Sequence, residues 1–464
     1  MVESVKAAAD AAQADLLDYL GSQTAATGFT DDEVSVPAAA AAEAFWITNA
    51  VGTRVTAATL RDVLRRPDVA YVDLSRHVPV AELIDAPTRA AKPAPRRKAA
   101  PARKPKRPPG AADDDAATTW SVRHINAPLC WQLGLTGKGV LVAVVDTGVN
   151  YTHPDLRKRM WKGGAQYPKH GYDFENGDND PADDNGHGTA TAGQVAGDGT
   201  SGTGTGVAPG ATILAVRVGG VERNFWKGLQ FALDRRVQVV SMSMTWKYPS
   251  GLDYPGWRRV CETILAAGVL HANSIGNQGD DLTVYPVPFN IATPGNCPSP
   301  WLHPSLPIAA GKASPISVGA TDSADRLAPY SGRGPAAWGT PPYTDYPYTA
   351  GHATQVGLLK PDVCAPGPGT TSCNHLFPGT PGAKPYRSFG GTSAATPHVG
   401  GCLAILAQAC RLAGQPVVPA RVQEALERTA KRVQGQAADK ENHYGAGRVD
   451  VYAAYGYGKK KGWW

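Results

Sequence analysis

The sequence predicts an α/β fold with a mostly parallel sheet and helices on both faces. Three observations carry that expectation. Beyond Trp120, apolar runs recur at Val140 to Val145, Ala211 to Val216, Val237 to Met242, Val269 to Ala272 and Ile316 to Ala320. Helical stretches such as Trp226 to Asp234 and Trp257 to Ala267 fall between several of them. Gly-rich turns punctuate the series. In such folds the chemistry gathers at the C-terminal ends of strands.

Taken from the N-terminus, residues 1–40 read as an Ala-rich helix followed by a polar stretch to which no function attaches. Residues 41–86 read as a small βαβ domain. Ala44 to Val51 supplies a strand, Thr56 caps a helix running to about Arg66, Pro67 ends it, and Val69 to Leu74 alternates as a second strand. Residues 87–117 form a basic Pro/Ala/Lys/Arg linker with almost nothing to bury, hence an extended spacer and a ready protease target. The main domain then spans 118–457, and a basic, aromatic tail closes the chain at 458–464.

The 464 residues are 42% hydrophobic and 19% charged, a globular composition, and length alone allows roughly two to four domains. No window is apolar enough for a membrane-spanning helix; the longest clean run, Gly139 to Val145, stops at an acid. The first twenty residues carry Glu3, Asp10, Asp15 and Asp18 among alanines, so they lack the basic start and apolar centre of a secretory signal. Seven cysteines without metal-finger or paired spacing point to a reducing compartment. The cytoplasm is therefore the expected location, with leaderless secretion as the alternative. The net charge of +6 is local: nine Lys or Arg lie between Pro87 and Gly110 and three more at Lys459 to Lys461, leaving about −6 for the rest. Nucleic acid or an anionic surface is the alternative partner for that linker, a spacer the plain one.

Three segments carry candidate chemistry. Asp146 ends the run GVLVAVVD, where an acid is either a loop cap or a partner for a cation or histidine. His187 lies in NGHGT, and flanking glycines leave an imidazole uncrowded, as proton transfer requires. Ser393 follows a Gly-Gly turn in FGGTSAATPHVGG, at the start of a small-residue helix. It is either an N-cap or a nucleophile whose own amide points at a nearby anion. A serine hydroxyl needs a base, and the base needs an acid to fix its tautomer. The order Asp, His, Ser supplies all three. His153 precedes a proline, His398 lies helically beyond Ser393, and no HExxH or clustered Cys/His pattern supports a zinc enzyme.

With VAVVDTGV, NGHGT and GGTSAATPHVGG in that order, the sequence resembles the subtilisin-like (subtilase, S8-type) serine peptidases. GTGVAPGA at Gly204 to Ala211, YSGRGP at Tyr330 to Pro335 and KPDVCAPG at Lys360 to Gly367 support the likeness, which runs from about Trp120 to Ala454. The resemblance implies a subtilisin-like sheet and a serine endopeptidase acting on polypeptides through an acyl-enzyme. In it Asp146, His187 and Ser393 are catalytic and Asn277 in NSIGNQG stabilises the oxyanion. It implies a substrate edge at Ser241, Met242, Ser243, Met244 and Thr245, with Gly276 nearby. Thr245 stands where relatives usually carry glycine, Ala190 and Thr191 where His and Val are usual, and Ala394 where Met is usual.

The reaction so implied needs no cofactor. Family members often bind structural calcium, and the stretch Asp173, Glu175, Asp178, Asp180, Asp183 and Asp184, with Asp155, offers hard oxygen ligands. A solvated acidic loop or a subsite for basic substrates are the other readings of that stretch. Residues 41–86 look like the propeptide region of some subtilases, which implies a zymogen whose N-terminal domain inhibits it; a permanently docked extra domain is the plain alternative. From a different functional class, the chain reads as a catalytically silent, subtilase-like peptide-binding protein.

Overall fold

The computed structural model describes residues 2–26, 42–84, 118–298, 315–337, 357–436 and 440–464; the basic segment 87–117 lies outside the described residues. Alanine-rich sequence, the best helix former, makes α1 (Val2–Ala26). A two-stranded antiparallel hairpin follows, β1 (Glu43–Phe45) with β2 (Ala50–Gly52), and then α2 (Ala57–Val63) and α3 (Val80–Leu83). The Thr56 hydroxyl caps α2 by accepting from the Thr59 amide at 2.9 Å.

This N-terminal part corrects the βαβ expectation twice. The predicted strand over 44–51 is broken by a turn in which Asn49, one of the few residue types that tolerates φ of 50°, reverses the chain. Residues 69–74 join no ladder, since Tyr71, Val72 and Leu74 stay exposed with no neighbouring strand to receive their alternation.

The remainder opens with α4 (Trp120–His124) and α5 (Ala127–Trp131) and builds β3 (Leu141–Asp146), β4 (Gly171–Asp173), α6 (His187–Ala196) and β5 (Thr212–Arg217). It continues with α7 (Glu222–Asp234), β6 (Val239–Met242), α8 (Tyr254–Ala266), β7 (Leu270–Ser274), β8 (Ile316–Thr321) and β9 (Val363–Pro366). A hairpin, β10 (Thr370–Cys373) with β11 (Tyr386–Phe389), precedes α9 (Thr392–Leu412), α10 (Pro419–Thr429) and α11 (Val451–Lys460).

Seven strands form one sheet in the order β4-β5-β3-β6-β7-β8-β9, and every pairing in it is parallel. Alternation along the central strands feeds two cores. Val142 and Val144 of β3, with Ile213 and Ala215 of β5, join the core that holds the buried faces of α6, α9 and α10. Ala143, Val145, Leu214 and Val216 turn to the opposite core, with α7, α8 and the N-terminal hairpin.

The N-terminal elements dock on that second face. Lys6 pairs with Asp234 and Lys227 with Glu43, each at 2.5 Å, while Phe45 meets Trp226 edge to face at 5.9 Å. The Val78 amide donates to Gly220 O and the Glu222 amide to Arg76 O, each at 2.9 Å, a short antiparallel pairing with the entrance to α7. Past that point α3 carries Leu83 into the core, 1% exposed, and the Thr245 amide donates to Leu83 O at 3.0 Å.

Candidate active site

Strand β3 is where the sheet order reverses, with β5 on one side and β6 on the other, so a crevice opens at its C-terminal end. Asp146 stands there, fully buried. Its Oδ1 accepts from the Thr147 amide at 2.8 Å and lies 2.7 Å from His187 Nδ1. That contact assigns the imidazole proton to Nδ1 and leaves Nε2 as the acceptor. Nε2 is buried and has no hydrogen-bond partner, a polar atom held ready in a closed site.

His187 is the first residue of α6, and the turn before it is built for close approach. Gly186 has φ of 97°, and a methyl group on Gly188 would strike the Gly148 carbonyl. Asp183 ties this turn together. Its Oδ1 accepts from Thr147 Oγ1 and the Asn185 and Gly186 amides, at 2.8 to 3.0 Å, and its Oδ2 accepts from the amide and hydroxyl of Thr189. Thr147 Oγ1 also accepts the Gly188 amide at 2.9 Å. The residue after Asp146 and the residues around His187 thus share one hydrogen-bonded frame.

Ser393 lies in the first turn of α9, which packs on α6. Its hydroxyl donates to Ser243 O at 3.4 Å, not to His187, while Ser243 Oγ returns a bond to Ser393 O at 3.1 Å. The site therefore brings Asp146 and His187 into contact and leaves the Ser393 hydroxyl turned to the neighbouring carbonyl, a common resting arrangement before substrate enters. Phe389 bridges the two halves, its ring meeting that of His187 edge to face at 5.3 Å. With Ala190 and Ala394, two of the departures from the family pattern, it forms a small apolar cluster. Thr191, the third, sets its hydroxyl 3.4 Å from Asp146 Oδ2 while donating to Gly188 O.

Asn277 Oδ1 accepts from the Thr392 amide at 2.7 Å and from its hydroxyl at 3.0 Å, which fixes the amide group. A Cβ on Gly391 would stand 3.2 Å from Asn277 Nδ2 and 3.5 Å from the Ser393 amide nitrogen. The two nitrogens converge over a position that only glycine leaves open.

Of the expected substrate edge, Ser241 and Met242 belong to β6, paired with β3 on one side and β7 on the other. Their backbone groups are spent in the sheet, which corrects their assignment to peptide pairing. Ser243, Met244 and Thr245 run on past the ladder, and Thr245 already holds Leu83. Gly276, with φ of 89°, precedes Asn277.

Two cations from outside the acidic stretch pair with four of its six carboxylates. Arg217 pairs with Asp173, Glu175 and Asp184, and Asp180 is shared by Lys169 and Tyr151. Sequence reasoning missed Arg217, Phe389 and the role of Asp183, because each acts through contacts between segments far apart in the chain. His153, Asp155 and Cys373 form a cluster with ligand-like spacing, yet their atoms are engaged. Asp155 accepts from the Ser201 amide and Tyr386 OH, and His153 bonds Pro385 O and the Asp155 amide. One carboxylate beside a thiol that burial pushes up is a poor donor set for calcium, so this cluster does not fit it. Burial pushes His398 down to about 4, and its Nδ1 bonds Ala394 O, a neutral structural role. No helix among the described residues is long and apolar enough to cross a membrane.

The Subtilase family profile matches residues 137–447. Bacillopeptidase F of Bacillus subtilis (strain 168) is 28% identical over 434 residues, 88% of this chain and 25% of that protein. Thermophilic serine proteinase of Bacillus sp. (strain AK1) is 29% identical over 70% of this chain and 64% of its own length. Subtilisin BL of Lederbergia lenta is 31% identical over 62% of this chain and 84% of its own length. The chain thus spans a quarter of the first relative and under two thirds of the second.

Proposed function

The chain belongs to the subtilase family, and from that premise we propose that it is a serine endopeptidase made as a self-inhibited precursor. The observation that carries the reading is the 2.7 Å contact between Asp146 and His187, with Nε2 buried and unpartnered in a helix packed against the one whose first turn holds Ser393.

In the proposed reaction a rotation of the Ser393 side chain moves its hydroxyl from Ser243 O to His187 Nε2. The imidazole takes the proton as the oxygen attacks a peptide carbonyl, and Asp146 holds the ring and stabilises its imidazolium form. Asn277 Nδ2 and the Ser393 amide hold the developing oxyanion, where one such donor is typically worth about 2.7 to 4 kcal/mol. His187 then protonates the leaving amine, and water repeats the sequence on the acyl-enzyme. No metal or organic cofactor takes part.

The N-terminal segment is the proposed inhibitor. Support comes from Leu83, whose carbonyl takes the Thr245 amide on the edge that a substrate backbone would use. A fluorophosphonate probe tests the activity: wild type is labelled, whereas Ser393→Ala and His187→Ala are not. Absence of labelling in protein freed of its N-terminal segment would favour a peptide-binding protein without turnover.

A further inference from the structure

The hairpin of β10 and β11 packs against α6, which begins at His187, and it carries a charge that no carboxylate among the described residues pairs with. Phe389 and Arg387 are two residues apart on β11 and so project from one face. Phe389 touches the His187 ring; Arg387 is exposed. No carboxylate among the described residues pairs with it, and its guanidinium meets Gly186, the residue before His187, where a methyl group would come within 2.7 Å of Nη1.

Beside it on Gly186 lies His375 Nδ1, buried and without a hydrogen-bond partner. A buried polar atom of this kind is costly to leave unmatched. The His375 backbone is not loose, because Asn150 Nδ2 donates to His375 O and Phe377 O, each at 2.8 Å, while the Asn150 amide bonds Thr189 Oγ1 in the first turn of α6. The two groups are therefore held in register with His187. Neither neighbouring acid pairs with Arg387: the Asp183 oxygens are taken by amides and hydroxyls, and Asp184 pairs with Arg217. Lys384 adds a second exposed cation to the same hairpin.

His187 delivers its proton to the leaving amine, so the chain on that side of the cut bond passes His187, Phe389 and Gly186. We propose that Arg387 and His375 form a carboxylate subsite there, and that the enzyme selects peptides with Asp or Glu shortly after the cleaved bond. Arg387 supplies the charge and a planar fork of donors, and His375, whose Nδ1 is closed off against Gly186, donates to the same carboxylate only after its ring turns outward. This inference rests on the peptidase reading above.

Quenched fluorogenic peptides with Glu, Gln or Lys at each of the first three positions after the cleaved bond test it on protein freed of its N-terminal segment. Wild type cuts the best Glu peptide at least tenfold more efficiently than its Lys counterpart, mainly through KM, and added salt narrows the gap. Arg387→Glu reverses the order, Arg387→Lys retains it in weaker form, and His375→Ala slows only the Glu peptide. A Glu-to-Lys ratio near one in wild type, or one unchanged in Arg387→Glu, overturns the subsite while cleavage of the Gln peptide keeps the peptidase reading. If the Gln peptide survives wild type freed of its N-terminal segment as it survives Ser393→Ala, both readings fall.

Discussion

Asp183 ties Thr147, which follows Asp146, to the turn that presents His187, so a single carboxylate sets the spacing between acid and base. Replacing it by Asn keeps the size but turns one acceptor into a donor facing amide or hydroxyl protons. Because small displacements of positioned groups are costly, Asp183→Asn should lower kcat by about 10 to 100-fold with KM little changed, as steady-state kinetics would read. The pairing of Asp146 with His187, and the place of Ser393 in the first turn of a small-residue helix, were legible from chemistry and local motifs. Asp183 was visible only as one acid in a run of six, since the sequence does not say which carboxylate meets amides and which meets Arg217. The same limit applied to Ser241 and Met242, whose place inside the sheet depends on strands that lie elsewhere in the chain.

At the scale of elements, five of the seven sheet strands were legible to within two residues, because apolar runs such as Val140 to Val145 suit a parallel sheet, whereas the short β4 and β9 were not. The N-terminal elements were not, since a three-residue hairpin strand leaves too short a pattern to separate from a single longer one. That region meets the larger part at a polar joint. A cavity of about 470 Å³, lined by residues including Tyr71, Glu222, Asp253 and Arg259, separates the two there. Glu222 accepts from the Trp257 indole and the Asp253 amide, and Asp253 accepts from Tyr71 OH. Burial, with the neighbouring Asp253 carboxylate, pushes Glu222 up from 4.5 to about 7. Its docked pKa is raised, so docking is favoured in full below about pH 4.5 and loses that contribution as pH rises through about 7. In Ser393→Ala protein, nicking by an added protease around residues 52–76 should increase from pH 5 to 8, and Glu222→Gln should flatten that rise.

For the whole molecule, the order of parts predicts a difference in mass. On the proposed reading a basic tether stands beside an active peptidase and is a target for it. Purified wild-type protein should shorten within or near residues 87–115, while Ser393→Ala keeps its full mass on prolonged incubation, as intact mass spectrometry would show. Equal masses would remove self-processing and leave the hydrolytic reading standing. All seven cysteines are buried as free thiols.

The two sides of the tether are each fastened to the same body. Leu83 is held by Thr245, and on the far side the Thr119 amide bonds Gly204 O at 3.0 Å. A cut between them detaches nothing at once. It converts an intramolecular clasp into an ordinary two-body equilibrium, whose occupancy falls with concentration because the connecting chain no longer holds the partners together. On the proposed reading, scission and onset of activity then become separate events in time, and a processed sample should wake on dilution while a concentrated one stays quiet.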